Sequence, residues 1–312
     1  MTEERRSAIP GAPDHSQRQR PSLAPRLRHP LDADGLYARS EDYNAVIDGV
    51  DRALDGLRPQ TAETLRFPPV MSRAIIEKSG YLKSFPNLLG CVCALSDDSA
   101  ASLTFEPGDR AKAPWTDALT VSDLVLTPAA CYPLYPIVAG EGRLPAGGRV
   151  FDVACHCFRR EPSKDIDRLQ AFRMREFVYI GAEKTVIAER DAWTRRATAW
   201  FKTLCLPSEI ALANDPFFGA GRKVRVLLQR QQALKYELLT PLLSDGPPSS
   251  CMSFNYHKDH FGDVWDLRDV TGARLHTACV GFGLDRIATA LFVRHGDRPN
   301  LWPSSARRAL RL

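Results

Sequence analysis

The sequence predicts an α+β fold in which a largely antiparallel β-sheet is flanked by helices. Short apolar segments bounded by Pro, Gly and Asp recur along the chain. Most of these segments follow one another without a helix between them, and the helical segments are amphipathic or apolar. Runs of strands with few intervening helices favour an antiparallel sheet on which helices pack. The 312 residues suffice for one large domain with an ample core.

The first thirty residues predict a disordered basic tail. They contain six arginines, three acidic residues and five prolines but few large apolar side chains. Such a composition cannot bury enough apolar surface to fold. A solvated leader without a role is the alternative interpretation of this tail. We therefore expect a single folded domain over residues 31–312.

Four segments have the pattern of helices. Apolar residues recur near helical spacing over 32–57, and segment 68–79 starts with two prolines and stops before a glycine. Segment 191–204 places its tryptophans on one face, and an apolar helix begins near residue 284. The segments with the pattern of strands are 90–95, 103–105, 124–126, 150–158, 174–181, 208–213, 236–242, 251–256, 264–269 and 275–281.

The composition excludes several classes of protein. No run of 18 apolar residues is present, so we expect no membrane association, and the first residues lack the apolar region of a secretory signal. Eight cysteines, including two Cys-x-Cys pairs, do not resemble a disulfide framework, which favours a reducing cytoplasm. The net charge of +5 is concentrated near the two termini, so the body lacks a basic stripe suited to nucleic acid.

Two arginines occupy positions from which they could bind a phosphate. Arg159 ends an apolar strand, and its guanidinium can bind a phosphate bidentately, as a lysine cannot. Arg286 follows Gly281 and Gly283 at the start of an apolar helix, where backbone N–H groups favour an anion. Either arginine alone could belong to an ordinary surface ion pair. Only their joint occurrence predicts a nucleotide site.

The segments around these arginines resemble motifs 2 and 3 of class II aminoacyl-tRNA synthetases. The first segment covers 157–161 and continues at 173–177, and the second covers 276–286. The resemblance implies the class II antiparallel sheet, with bound ATP and Mg²⁺. It also implies that Arg159 and Arg286 are catalytic residues that stabilise charge on the α-phosphate.

Within class II, the chain resembles the seryl-tRNA synthetases from about residue 40 onward. This resemblance implies that Glu161 accepts a hydrogen bond from the adenine amino group and that Phe177 stacks on the adenine ring. Further contacts with ATP are implied for Arg168, Leu169, Lys235, Ser250, Cys251, Met252 and Ser253.

The chain also departs from the seryl-tRNA synthetase pattern. The N-terminal coiled-coil arm that grips tRNA in that family is missing, so no tRNA partner is expected. Pro247 stands where the family has a glutamate that binds the magnesium of ATP. Segment 68–90 resembles motif 1, whose helix and strand form the dimer interface, which implies a two-fold homodimer.

Cys131, Glu176 and Cys279 stand where the zinc-dependent, methanogen-type seryl-tRNA synthetases have their metal ligands. Two thiolates and a carboxylate suit Zn²⁺, and three protein ligands leave one position open for the amino group of the substrate. The resemblance therefore implies one Zn²⁺ per chain. The alternative is that both cysteines are small buried apolar residues, because their spacing alone is not that of a metal site.

A zinc-dependent seryl-synthetase body without a tRNA arm resembles the amino acid:[carrier protein] ligases. This resemblance implies activation of a small amino acid, with glycine favoured and alanine next, as its adenylate. It also implies transfer to the phosphopantetheine thiol of a carrier protein. Two alternatives remain open: an atypical seryl-tRNA synthetase-like enzyme, and a non-catalytic paralogue that acts as a regulator.

Residues 219–235 form an insertion relative to the seryl-tRNA synthetase pattern. Val224, Leu227, Leu228 and Leu234 can form one apolar stripe of a helix. Basic side chains lie outside that stripe, and carrier proteins are typically acidic. We therefore expect a carrier-binding helix, with a solvated surface helix as the alternative. The expected carrier contacts are Arg222, Lys223, Arg225 and Arg230.

Overall fold

The computed structural model describes residue 23 and residues 25–95, 114–219, 221–242 and 247–312. Most of the predicted tail and the predicted strand at 103–105 lie outside the described residues. None of the described helices is both long and apolar enough to cross a membrane.

The fold is built on a seven-stranded sheet with the strand order β3-β7-β8-β12-β11-β10-β9. Every neighbouring pair is antiparallel except β3 and β7, which are parallel. A three-stranded sheet, β4-β6-β5, and a two-stranded sheet, β1-β2, complete the described strands. The strands are β1 Arg28–Pro30, β2 Tyr37–Arg39, β3 Glu63–Arg66, β4 Val70–Ser72, β5 Cys91–Leu95, β6 Leu119–Leu126, β7 Arg149–Phe158, β8 Ala171–Gly181, β9 Glu209–Leu212, β10 Lys235–Thr240, β11 Ser249–Lys258 and β12 His276–Gly283.

Helices cover both faces of the large sheet. On one face the helices α1, α4 and α7 enclose a core that includes Trp193, Phe201 and Phe282. On the other face α3 and α6 contribute Tyr135 and Phe261 to a second core, in which the two rings stack on each other. The helices are α1 Glu41–Asp55, α2 Arg73–Lys78, α3 Leu134–Gly140, α4 Glu183–Thr203, α5 Arg222–Gln231, α6 His260–Trp265, α7 Leu284–His295 and α8 Ser304–Leu310. The predicted α+β class and the flanked, mostly antiparallel sheet are confirmed.

Several predicted boundaries are wrong for identifiable reasons. The helix predicted over 32–57 begins only at Glu41, because Ser40 caps it by accepting a hydrogen bond from the backbone N–H of Tyr43. Segment 68–79 holds a strand before its helix. The strand predicted at 264–269 contains the end of α6 instead, which stops where Asp266 adopts a left-handed conformation (φ 51°).

The predicted tail also ends earlier than residue 30. Leu27 is buried in the core, and Arg28 begins β1 with its guanidinium over the Tyr37 ring, at 4.4 Å from the centroid. These two side chains anchor the segment, which the composition of the whole tail concealed.

The homodimer stays a prediction. The small sheet leaves Val121 of β6 59% exposed, which makes this sheet a candidate surface for a second copy.

A buried ion pair joins the large sheet to α1. Asp152 of β7 and Arg175 of β8 are 0% and 1% exposed, and they form two hydrogen bonds of 2.8 and 2.6 Å. Arg175 continues to Asp51 and Asp55 of α1, at 2.8 and 2.7 Å. Its guanidinium therefore holds the helix against the strand that carries Glu176.

Replacing Asp152 with asparagine should lower the free energy of unfolding by about 3–5 kcal/mol, because it leaves the buried Arg175 without its main counter-charge. The measurement is urea denaturation followed by circular dichroism. Asp55→Asn is the matched control. It removes a carboxylate that is 60% exposed from the same guanidinium, so it should cost about 1 kcal/mol or less. Equal losses for the two variants would contradict this prediction.

Candidate active site

Most of the residues predicted to bind ATP or metal line one cavity of about 480 Å³ on the face of the large sheet that carries α3 and α6. Strands β8, β10, β11 and β12 contribute its walls, together with the loop that joins β7 to β8. Of the residues predicted to bind ATP or metal, those on the cavity wall are Cys131, Arg159, Glu161, Arg168, Leu169, Glu176, Lys235, Ser250, Cys251, Met252, Ser253, Cys279 and Arg286.

The prediction that Phe177 stacks on adenine is wrong. Phe177 is 0% exposed and packs against Trp193 and Phe282 in the core on the opposite face of the sheet. Successive side chains of a strand point to opposite faces, so Phe177 cannot share a face with its neighbour Glu176. Phe172 of β8 lies on the cavity face and lines the cavity instead.

Arg159 directly follows the last residue of β7, and it lines the cavity. Its Nε donates a hydrogen bond of 2.9 Å to the carbonyl of Pro128, and its guanidinium lies 5.5 Å from the centroid of the Phe172 ring. Within the described residues, this guanidinium forms no ion pair with a carboxylate. A partly buried cation with only carbonyl and ring contacts is available to an anionic ligand.

Arg286, at the start of α7, is held in the same manner. Its Nε and one terminal nitrogen donate to the carbonyls of Asp167 and Ser250, at 2.9 and 3.0 Å. Burial and the neighbouring charge of Arg168 lower the pKa of this guanidinium, as expected for a cation without a bound anion. The preceding residue, Asp285, fixes the position of Arg286. Its carboxylate accepts hydrogen bonds from the Arg39 side chain at 2.7 Å and from the backbone N–H of Arg173 at 2.6 Å.

The β7–β8 loop borders the cavity beside Arg286. The Asp167 carboxylate accepts a hydrogen bond from the Ser249 hydroxyl, while the Asp167 carbonyl accepts from Arg286. Arg168 lies 3.7 Å from the Glu161 carboxylate. The loop therefore brings an anion, a cation and a carbonyl to the place where Arg286 enters the cavity.

Cys131, Glu176 and Cys279 form one buried cluster. The backbone N–H of Cys131 donates to the Glu176 carboxylate at 3.1 Å. The Cys279 sulfur lies 3.3 Å from the Asn255 amide nitrogen and 3.6 Å from Nε2 of His257. The three groups that the sequence selected are therefore brought together, although 148 positions separate the two cysteines in the chain.

The protonation of this cluster is unusual. The hydrogen bond between the Cys279 and Cys131 side chains holds the pKa of the Cys279 thiol well below its usual range. The same bond, followed by burial, raises the pKa of Cys131 well above its usual range. Burial, followed by the nearby Cys279 sulfur, raises the pKa of the Glu176 carboxyl. Three groups that become negatively charged on losing a proton are thus crowded together.

The chemistry of this donor set fits zinc, but the arrangement is not that of a formed metal site. Two thiols and a carboxyl are ligands that Zn²⁺ accepts. Over the part of the chain that the structure describes, no group of three or more His, Cys, Asp and Glu side chains has the geometry to hold a metal ion. The zinc site therefore stays a prediction.

A polar chain links α5 to the opposite wall of the cavity. The Gln229 side chain accepts from the backbone N–H of Asp215 and donates to its carboxylate, both at 2.7 Å. Asp215 accepts in turn from Nζ of Lys235 at 2.6 Å, and Glu237 lies 3.1 Å from the same nitrogen. Burial opposes both charges, but the attraction outweighs it, so the pKa of Asp215 is lowered and that of Lys235 is raised.

The helix α5 itself has no buried residues. Its apolar side chains Val224, Leu227 and Leu228 are 59%, 55% and 46% exposed, so these three members of the predicted stripe do not pack on the body of the protein. The fourth, Leu234, lies beyond the end of α5 and packs against the core. The side chains of Arg222, Lys223 and Arg230 are exposed as well. Arg225 differs because it donates to the carbonyls of Lys83 and Phe218, which makes it a structural tie.

The sequence reasoning missed further cavity residues, among them Tyr81, Phe172, Asp215 and Gln229. The alternation along β8 from Glu176 through Met174 was a signal for Phe172. The other three come from irregular segments or from an exposed helix, where no periodicity indicates which side chains converge.

No family model matches the chain. Two curated proteins of Bradyrhizobium diazoefficiens, amino acid--[acyl-carrier-protein] ligases 1 and 2, are each 50% identical to it over 294 residues. These alignments cover 93% of this chain and 89% and 87% of the two relatives. The type-2 serine--tRNA ligase of Methanopyrus kandleri is 26% identical over 262 residues, and the alignment covers 77% of this chain and 49% of that protein.

Solved structures of synthetases share the fold. The M. kandleri seryl-tRNA synthetase, solved in complex with tRNASec of A. aeolicus, superposes with a TM-score of 0.77 and 22% identity. That match covers 91% of this chain and 58% of the synthetase. The Pyrococcus horikoshii seryl-tRNA synthetase, complexed with ATP, superposes with a TM-score of 0.61 and 16% identity over 89% of this chain and 58% of the synthetase.

Proposed function

Because the chain belongs to the family of amino acid--[acyl-carrier-protein] ligases, we propose that it activates a small amino acid with ATP and transfers it to the phosphopantetheine thiol of a carrier protein. The observation that carries this proposal is the shared cavity. Arg159 and Arg286, two cations without carboxylate partners among the described residues, line the same space as the Cys131–Glu176–Cys279 cluster. A phosphate and an amino group could therefore be bound side by side.

The proposed reaction has two steps. A carboxylate oxygen of the amino acid attacks the α-phosphorus of ATP, and the bond to the departing pyrophosphate breaks. Arg159 and Arg286 stabilise the charge that develops on the phosphate oxygens, and Mg²⁺ bound to ATP would add to this stabilisation. The carrier thiolate then attacks the carbonyl carbon of the adenylate, AMP leaves, and a thioester forms. The protein positions the reactants and supplies no nucleophile.

Phe172 and Glu161 are the proposed adenine contacts. Phe172 lines the cavity beside Arg159, so an aromatic face is available next to the phosphate-binding guanidinium. Glu161 lies two residues after Arg159 in the chain, and its carboxylate can accept a hydrogen bond from the amino group of adenine. Phe172 thus takes the role that the sequence assigned to Phe177.

Steric exclusion is the proposed basis for selecting a small amino acid. Tyr132 follows Cys131 directly, and its ring meets the Phe261 ring edge-on at 5.9 Å. Gly281 of β12 pairs with Glu176 of β8, and a Cβ at Gly281 would lie 3.0 Å from the Ser253 hydroxyl and 3.9 Å from the Glu176 side chain. These groups leave little room for a side chain beside the cluster.

The function is tested by pyrophosphate exchange with each amino acid, followed by transfer assays with a phosphopantetheinylated carrier protein and with tRNA. We expect the highest kcat/KM for glycine, then alanine. One methyl group contributes about 1–3 kcal/mol to such discrimination. We also expect thioester formation on the carrier and no esterification of tRNA. The highest exchange rate for serine, with charging of tRNA, would contradict the proposal in favour of a synthetase.

We further propose that Cys131, Glu176 and Cys279 hold one Zn²⁺ per chain. The support is the buried set of two thiols and a carboxyl that contact one another. Bound zinc would supply a Lewis-acid position for the neutral amino group of the substrate. Asn255 and His257, next to the Cys279 sulfur, would orient that ligand.

The protein should contain one zinc per chain by elemental analysis, and a Cys131→Ser, Cys279→Ser double variant should contain almost none. Cys205→Ser is the control, because Cys205 is exposed and lies beside Ser305, outside the cluster. It should keep the wild-type metal content. Stoichiometric zinc in the double variant would place the metal elsewhere.

We propose that α5 is the docking surface for the carrier. Its exposed apolar stripe and exposed basic residues would suit an acidic partner. The chain Gln229–Asp215–Lys235 ties this helix to the cavity wall, so a carrier bound there would lie next to the adenylate.

Reversing Arg222 and Lys223 to glutamate should raise KM for the carrier about tenfold and flatten its salt dependence, while leaving pyrophosphate exchange unchanged. Arg225 is left intact because it ties the helix to Lys83. The matched control reverses Arg195 and Lys202 on α4, which packs on the opposite face of the sheet. Transfer at the wild-type rate and salt dependence would place the docking surface elsewhere.

A further inference from the structure

The hydroxyl of Tyr81 is buried without a hydrogen-bond partner among the described residues. Tyr81 is 5% exposed and opens a short turn, Tyr81–Lys83, after Gly80. Buried hydroxyls normally have a partner, since leaving one unpaired is unfavourable. Tyr81 also lines the cavity. An unsatisfied polar atom at the wall of a binding cavity suggests a ligand that supplies the missing partner.

The position of the ring narrows the choice of ligand. The Tyr81 ring meets the Tyr132 ring edge-on at 5.5 Å, and Tyr132 follows Cys131 in the chain. The charge of Arg159 also acts on the Tyr81 hydroxyl, and both residues line the cavity. Tyr81 therefore lies near Arg159 and near Tyr132, the neighbour of Cys131.

The hydroxyl can act as a donor under ordinary conditions. Burial raises the pKa of Tyr81 to about 12, and the charge of Arg159 opposes that shift only in part. The proton is therefore retained at neutral pH. A donor in this place suits an anionic oxygen better than an amino group or the adenine ring.

We infer that Tyr81 is a further catalytic residue, whose hydroxyl donates a hydrogen bond to the carboxylate of the amino acid substrate. The inference rests on the proposed function. If the amino group lies at the Cys131 cluster and the α-phosphate at Arg159, the carboxylate must bridge them, and Tyr81 is close to both. Arg159 and Arg286 already serve the phosphate, and Lys235 and Asn255 are bonded to protein groups, whereas the Tyr81 hydroxyl has no partner among the described residues.

The oxygen that Tyr81 holds keeps its importance in the second step. One carboxylate oxygen bonds to phosphorus, so the other becomes the carbonyl oxygen of the adenylate. That oxygen takes the negative charge when the carrier thiolate attacks the carbonyl carbon, and it gives up the charge when the bond to AMP breaks. A hydrogen bond from Tyr81 would stabilise this charge.

The test is Tyr81→Phe, which removes the hydroxyl and preserves the ring contacts with Tyr132 and Phe85. We expect kcat/KM for the amino acid in pyrophosphate exchange, and the rate of transfer to the carrier, to fall about 10- to 100-fold. KM for ATP should not change. The melting temperature should stay the same or rise, because the hydroxyl has no partner in the free protein.

Tyr179→Phe is the matched control. The Tyr179 hydroxyl accepts from the Trp193 indole N–H at 2.7 Å in the core on the other face of the sheet. Its loss leaves that donor unpaired, so the melting temperature should fall by a few degrees while exchange stays at the wild-type rate.

Wild-type kinetic constants in Tyr81→Phe would overturn the inference alone, and so would a change confined to KM for ATP. A lower melting temperature with unchanged kinetics would show a merely structural role and would also overturn it. A wild-type protein that exchanges with no amino acid would overturn the proposed function, and this inference with it.

Discussion

In β8 the side chain of Glu176 faces the cavity, while its neighbours Arg175 and Phe177 are buried on the opposite face of the sheet. The rest of the structure depends on this alternation. Arg175 fixes β8 to β7 and to α1 through Asp152, and Phe177 fixes it to the aromatic core. Because both anchors lie behind Glu176, the carboxyl is held on a rigid strand although its own surroundings are crowded with acidic groups.

Much of the fold follows from patterns in the sequence. Alternating apolar segments indicate β7, β8, β11 and β12, and the amphipathic pattern around Trp193 indicates α4. The short strands and helical turns could not be predicted from the sequence, because a periodic pattern cannot be recognised in three or four residues. The segment after Trp265 shows another limit, since its apolar residues suit a strand as well as a helix end, and the left-handed turn at Asp266 depends on tertiary context.

The site residues could be predicted where they stand in segments that resemble known synthetase motifs and have a side chain suited to the expected chemistry. Cys131, Glu176, Cys279, Arg159 and Arg286 were found in this way, and the structure brings them to one cavity. Phe177 was assigned wrongly because the resemblance was applied by residue type without checking which face of β8 it occupies. Tyr81 and Asp215 could not be found, because their roles depend on which neighbours do or do not bond to them, and a sequence does not record this.

The contact of Arg286 with the β7–β8 loop also bears on nucleotide affinity. Its Nε bonds to the Asp167 carbonyl, and Asp167 is further held by Ser249. The carbonyls of Asp167 and Ser250 occupy two of the five guanidinium N–H groups of Arg286, which leaves the others free for a phosphate oxygen in the proposed reaction. The loop therefore holds the guanidinium in place before the nucleotide binds, so less conformational entropy is lost on binding. A substitution that loosens the loop would weaken nucleotide binding without touching the nucleotide.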